Sequence, residues 1–222
     1  MKHFRVWWVL AGLGAVLVIG VLWFTTARPV LVLPRLSLAP GYGLQTAEGR
    51  LFSSEDGRGV VTLYSFAYRG CGERCGMIYE KLAAIDAAMA ERPALEPRLR
   101  FVTLTIDPEH DTPEALAAFE LPFQPQAAEW VWLTGEAEKL KLVTGGGFEV
   151  LYQAQADGSI FFDPQMVLVD GNGIIRGEYE VSRYSAESLV TYLDLLYEEI
   201  AQSSGAAKLA YEAAHFFACY PH

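Results

Sequence analysis

Val60-Val-Thr-Leu-Tyr-Ser-Phe-Ala-Tyr-Arg-Gly-Cys71-Gly-Glu-Arg-Cys75 is the stretch on which the fold turns. An apolar, β-branched and aromatic run, Val60–Phe66, reads as a buried strand, and Tyr-Arg-Gly after it reads as a turn. Two thiols four residues apart then open an amphipathic stretch, Ile78–Met89, which reads as a helix. On a helix start, Cys71 and Cys75 would share one face, where backbone N–H groups and the positive helix end stabilise thiolates. Such a pair can close as a disulfide, exchange one with a partner, or clamp a soft ion such as Cu(I). Two unrelated core cysteines are the plain alternative.

Outward from this stretch, strand-like and helix-like runs alternate. Leu44–Ser53 reads as a hairpin turning at Glu48-Gly49, Cys75–Glu91 as helix and Arg100–Ile106 as strand. Pro113–Phe119 follows as helix, Trp130–Leu133 as strand and Glu136–Val143 as a short helix. Met166–Val169 and Ile174–Tyr179 flank Asp170-Gly-Asn-Gly173, a hairpin signal, and Ala186–Ala201 closes as a helix with Leu189, Leu193, Leu196 and Ile200 in register. A strand, cysteine pair and helix first, with a strand hairpin and helix last, implies an α/β, thioredoxin-like fold: a central mixed sheet flanked by helices. Catalytic groups of such sheets gather at the C-terminal ends of strands, where Cys71 and Cys75 fall.

The chain has 222 residues and a net charge of −10, which disfavours nucleic acid as a partner. Val6–Phe24 run 19 residues without a charge, about 28 Å as a helix and enough to span a bilayer. Trp7, Trp8 and Trp23 stand at its ends, and a basic Met1–Arg5 precedes it. We therefore expect an N-terminal transmembrane anchor with the domain outside the cytoplasm, in a bacterial periplasm. A cleaved signal peptide is the rival, with Thr25 and Ala27 as a weak site. The expected organisation is anchor (1–27), Pro-containing stalk (28–42, with Pro29, Pro34 and Pro40), thioredoxin-like domain (43–202) and helical tail (203–222).

With these residues in view, the chain resembles the SCO/SenC family, membrane-anchored thioredoxin-like proteins that help mature the copper centre of cytochrome c oxidase. The Cys71-x-x-x-Cys75 spacing is similar to the family's CxxxC, and Phe101–Leu116, with Asp107-Pro-Glu-His-Asp-Thr-Pro113, follows its DPxxDTP strand end. Leu133-Thr-Gly135 and the insertion Gly147–Phe162 also fit. The resemblance implies a cytochrome c oxidase subunit, or another copper or thiol protein, as partner, and copper as cargo of Cys71 and Cys75.

One family feature is missing. Copper-binding members add a histidine eleven residues before the hairpin glycine; counting back from Gly173 reaches Phe162, and no histidine lies between His110 and His215. Instead Pro164, nine residues before Gly173, stands where thioredoxin-like reductases hold a proline, usually cis, against the cysteine pair. An ordinary trans loop proline is the alternative. The expectation is thiol–disulfide exchange, as in an oxidoreductase, with Cys71 attacking, Cys75 resolving and Pro164 at the site. Two alternatives stand beside it. One is a Cu(I) chaperone whose third ligand is replaced or supplied by a partner; the other is a non-catalytic interaction module.

Met166 is soft enough for Cu(I) but reads as strand core, and Asp163 is a hard donor. His215, Cys219 and His222 could fold back over the site from the tail. Arg69 and Arg74 could favour a thiolate, with Glu73 opposing. Asp111 or Thr112 reads as a cap for the next helix, Asp107 as a strand-end candidate and His110 as surface. Gly145-Gly-Gly147 lacks the Lys-Ser/Thr of a phosphate loop and reads as a helix end.

Overall fold

The computed structural model describes residues 2–27, 31–92, 97–203 and 205–217, and divides the chain into two units. The larger, Arg35–Tyr197, is the thioredoxin-like domain. Its strands are β1 (Ser37–Leu38), β2 (Gly43–Thr46), β3 (Leu51–Ser53), β4 (Val61–Ala67), β5 (Leu99–Thr105), β6 (Ala128–Thr134), β7 (Tyr152–Ala154), β8 (Ile160–Phe162), β9 (Gln165–Val169) and β10 (Ile174–Glu180). Eight of them form one mixed sheet in the order β1-β10-β9-β4-β5-β6-β2-β3, and β7 and β8 form a separate hairpin. β4 pairs in parallel with β5 and antiparallel with β9, which fixes it at the centre. All seven of its residues are buried, as expected for a strand covered on both faces.

Helices cover this sheet: α2 (Glu73–Ala90), α3 (Pro113–Ala117), α4 (Ala137–Lys141) and α5 (Ala186–Ala201), the last running past the domain's end. The two faces of β4 differ in chemistry. Tyr64 and Phe66 pack with tilted rings against Phe148, at centroid distances of 4.8 and 5.4 Å, just after the π-helical turn Leu142–Gly147. On the other face, Ser65 bonds the Thr103 hydroxyl (2.8 Å), which also accepts the Trp130 indole N–H (2.9 Å), and Tyr79 of α2 packs 5.9 Å from that indole. The buried Asp86 of α2 accepts the backbone N–H groups of Gln126, Ala127 and Ala128, so one carboxylate anchors the start of β6. Arg92, after α2, forms a two-point ion pair with Asp194 of α5 (2.6 Å for each contact).

Most expected elements appear within a few residues of their expected bounds, and the hairpin turn at Gly49 adopts φ +72°. Three differ. The stretch expected as a free stalk enters the sheet: β1 pairs with β10, and Pro40 packs so closely on Gly147 that a Cβ there would lie 2.5 Å from it. The expected helix Glu136–Val143 ends as α-helix at Lys141 and runs on as a π-helical turn, Leu142–Gly147, that closes with three consecutive glycines. The insertion Gly147–Phe162 contains the β7–β8 hairpin, which the sequence reading did not assign.

The smaller unit holds the chain up to Pro34 and from Glu198 onward. It contains α1 (Lys2–Ala27) and α6 (Gly205–Phe217). Within α1, Val6–Trp23 is long and apolar enough to cross a membrane. Val32 and Ala214 are buried together with Tyr211 beside them, and the His215 ring nitrogen lies 2.9 Å from a Glu199 carboxylate oxygen.

Candidate functional site

The site forms where parallel β4 and β5 end side by side, with Ala67 opposite Thr105. After β4 the chain turns through Tyr68, Arg69 and Gly70, and the Tyr68 carbonyl accepts the Cys71 N–H (3.2 Å). Gly72 then takes φ +58° and ψ −133°, a conformation open to glycine but strained for other residues. This corrects the expectation of two thiols on one helix face. α2 starts at Glu73, so Cys71 lies ahead of the cap and only Cys75 is helical. The two are joined as a disulfide, with Cα atoms 5.7 Å apart. Cys71 is half-buried, whereas Cys75 is only 2% exposed, with its sulfur 3.7 Å from the Tyr68 carbonyl oxygen. Cys71, the more accessible of the two, is thus the one another thiol or disulfide can reach.

The loop after β5 supports the cysteine loop. Asp111, only 1% exposed, accepts the Thr105 hydroxyl (2.6 Å), the Arg69 backbone N–H (3.2 Å) and the Arg69 Nε–H (2.9 Å). Arg69 also donates to the His110 carbonyl (2.7 Å). The guanidinium expected beside a thiolate is therefore committed to a buried carboxylate. Capping of α3 falls to Thr112, whose hydroxyl accepts the Ala115 N–H (3.3 Å), with Pro113 at the first helical position. Asp107 holds the exposed His110 ring (2.9 Å), and that carboxylate raises the imidazole pKa above its ordinary value. Burial, and then the Asp111 charge, push the Tyr79 phenol up, so it stays protonated.

The β7–β8 hairpin forms the other wall. The Tyr68 hydroxyl accepts the Ile160 N–H (3.2 Å), and its ring meets Phe162 edge-on at 6.3 Å. The Arg74 guanidinium lies 4.7 Å over the Phe161 ring rather than standing free beside the sulfurs. Phe162, at the position counted for the missing histidine, is 1% exposed and has no donor atom. Pro164 lies between β8 and β9, half-buried, and its carbonyl accepts the Val181 N–H (2.8 Å). Met166 is fully buried in β9, as core, and Asp163 is exposed. Cys219 and His222 lie outside the described residues, and among those described no three His, Cys, Asp or Glu side chains gather to hold a metal ion. Among the described residues, Cys71 and Cys75, once reduced, are the soft ligands of this site.

Sequence reasoning found the pair and the Phe162 substitution but missed Tyr68, Asp111 and Phe161. Asp111 carried a misleading local signal, since an Asp before Thr-Pro looks like a cap. Its real partners lie up to 42 residues away.

Comparison with known proteins gives a consistent picture. The SCO1/SenC family model matches residues 34–217. The mitochondrial SCO2 homolog of Bos taurus is 31% identical over 153 residues, spanning 67% of this chain and 55% of that protein. Among solved structures, Arabidopsis thaliana ScoI with copper bound superposes with a TM-score of 0.64 at 23% identity, covering 75% of this chain and 99% of that one. BsSco, described as having a disulfide switch and as a member of the Sco family of cytochrome c oxidase assembly proteins, gives 0.62 at 18% identity, covering 74% and 95%. At these identities the two structures establish a shared fold.

Proposed function

Because the chain belongs to the SCO1/SenC family, we propose that it assists maturation of the cytochrome c oxidase copper centre, and does so by thiol–disulfide exchange through Cys71 and Cys75. One observation carries this reading. The pair is asymmetric, with Cys71 reachable and Cys75 buried, while the place of a third metal ligand is taken by buried Phe162. Exchange needs two thiols of unequal access; firm three-ligand copper binding needs a further donor.

In the reduced protein the Cys71 thiolate attacks one sulfur of a target disulfide. That S–S bond breaks, and the other target sulfur leaves as a thiolate. Cys75 then attacks Cys71 in the mixed disulfide and releases the second target thiolate. Two electrons pass to the target, and the protein is left with the closed Cys71–Cys75 bond seen here. An external dithiol returns it to the reduced state. Pro164 keeps a structural part in this cycle, fixing the backbone between β8 and β9 beside the hairpin. We assign Val6–Trp23 the role of anchor in the bacterial inner membrane, with the domain in the periplasm and facing its oxidase partner.

A second reading rests on the copper-bound relative. The reduced pair would carry Cu(I) as cargo on two thiolates, with a partner completing the coordination. The full chain in detergent separates the two. Reduced protein is titrated with Cu(I) against a chromophoric chelator, and mixed in parallel with a disulfide-bonded two-cysteine peptide. Exchange with the peptide and no competition for Cu(I) is expected. One-to-one Cu(I) binding that disappears in Cys71→Ser/Cys75→Ser, without peptide exchange, would shift the assignment to copper carriage. Normal oxidase assembly in cells carrying the double substitution would leave only an interaction module.

A further inference from the structure

A buried carboxylate needs a reason to be where it is, since removing it from water is costly unless every partner is in place. The partners of Asp111 all belong to the frame of the cysteine pair: the Arg69 backbone N–H, the Arg69 side chain, and Thr105 at the end of β5. Helix capping does not explain it, because Thr112 does that alone. Arg69 stands next to Tyr68, whose carbonyl meets both cysteines: it accepts the Cys71 N–H at 3.2 Å and lies 3.7 Å from the Cys75 sulfur. The Tyr68 side chain is in turn fixed to Ile160 and Phe162. One residue thus ties the loop between β4 and α2 to the end of β5.

We propose that Asp111 is the positioning residue of the cysteine pair: through Arg69 it fixes the Tyr68–Gly70 loop, holds the two sulfurs within bonding reach, and so sets how readily their disulfide is reduced. The inference builds on the exchange reading above, yet it concerns an equilibrium that can be measured without the physiological partner. A rigid frame gives the two thiols a high effective concentration and stabilises the closed bond; a looser frame favours the open dithiol. Asp111 touches no reacting atom and acts only through its neighbours.

The test is a redox titration of the full chain in detergent at pH 7 against reduced and oxidised dithiothreitol. In this reaction the protein S–S bond opens to two thiols, and the reagent's two thiols close to its cyclic disulfide, so electrons and protons balance. Asp111→Asn is expected to favour the reduced protein at least fivefold, which for a two-electron couple is about 20 mV. Arg69→Gln should shift the equilibrium in the same direction. The double variant should shift it no further than the larger single effect, because the two act through one link. Thr105→Val, which removes one bond to Asp111, should give a smaller shift of the same sign. It also carries the test, with Arg69→Gln, if Asp111→Asn fails to fold. A folded variant with a lower melting temperature and an unchanged equilibrium constant would overturn the proposal, leaving Asp111 a purely structural residue. If wild-type protein fails to exchange with a two-cysteine peptide while these shifts persist, the exchange reading falls and the positioning role stands.

Discussion

The two walls around Cys71 and Cys75 are built from different chemistry. On one side, Asp111, Arg69 and Thr105 form a closed set of hydrogen bonds around a buried charge. On the other, the β8 residues Phe161 and Phe162 present rings to Arg74 and Tyr68 and offer no ligand atom. The polar wall ties the loop that carries Cys71 to the end of β5. The apolar wall reaches the pair through Tyr68, whose ring meets Phe162 and whose carbonyl lies against the Cys75 sulfur. The difference teaches that the frame of the pair and the wall facing it are built independently: the first is fully hydrogen-bonded, the second carries rings, and the exchange proposed above draws only on the first.

The largest effect comes from the pair both walls surround. Cys71→Ser should abolish exchange with a disulfide peptide, slowing it by about 1,000-fold or more, because a serine hydroxyl is not ionised near neutral pH. Cys75→Ser should instead trap a mixed disulfide on Cys71, visible as a mass adduct that a small thiol removes. If Cys75 formed the adduct in Cys71→Ser at a comparable rate, the exposure asymmetry would have no chemical consequence.

Next comes the apolar wall. Phe162→His should raise the Cu(I) affinity of the reduced protein by more than about tenfold, or 1.4 kcal/mol, since an imidazole completes a trigonal set with two thiolates. It should also cost about 1–3 kcal/mol of stability, because a buried ring is exchanged for a polar one. Chelator competition and thermal melting report the two terms separately. An unchanged Cu(I) affinity would mean that the wall is misplaced for a ligand and that the substitution at Phe162 is not what separates the two tasks.

Asp86 provides a control for the polar wall. It is also a buried carboxylate, and it accepts three backbone N–H groups, but at the start of β6, at the opposite end from the loops after β4 and β5. Asp86→Asn should destabilise the domain by about 2 kcal/mol, lowering its melting temperature by roughly 2–4 °C per kcal/mol, and leave the disulfide equilibrium unmoved. A shift as large as that of Asp111→Asn would mean that any loss of rigidity reaches the cysteines.

These two aspartates also mark what could be read from the sequence. The alternation of elements, the cysteine pair and the strand–turn–helix around Thr112-Pro113 all follow from local pattern, and so did the fold. Counting from Gly173 identified Phe162. Asp86 had no such signal and Asp111 a misleading one, because the Asp86 partners and the Arg69 partner of Asp111 lie about 40 residues away and backbone N–H groups leave no trace in side-chain chemistry. β1 was missed for a related reason: it is two exposed residues, defined only by pairing with Ile174 and Ile175. The β7–β8 hairpin, two strands of three residues each, was too short for alternation to reveal.

A smaller effect is expected from the link between α2 and the apolar wall. Arg74→Ala removes the cation over the Phe161 ring, an interaction at a partly exposed site worth about 0.5–1 kcal/mol. Amide exchange should speed up in β7–β8 and stay unchanged in β4 and β5. Faster exchange at Arg69 and Asp111 as well would show that the walls move together.

The smallest effect distinguishes the outer from the inner end of the polar wall. Asp107 raises the pKa of exposed His110, so the ring gains its proton more readily in the folded chain than its ordinary value near 6.5 implies. The stability linked to that proton is fully present below pH 6.5 and is lost as the pH climbs through the raised folded value. A titration of the His110 ring protons by nuclear magnetic resonance should show a midpoint above 6.5, returning toward it in Asp107→Asn. His110 meets the cysteine frame only through its backbone carbonyl, which accepts from Arg69 and does not titrate. His110→Gln should therefore flatten this small pH dependence of stability while leaving the disulfide equilibrium at wild-type values on both sides of the transition. If instead the equilibrium moved with His110 protonation, the whole Asp107–Asp111 turn would act on the cysteines, and control of the pair could not be assigned to Asp111 alone.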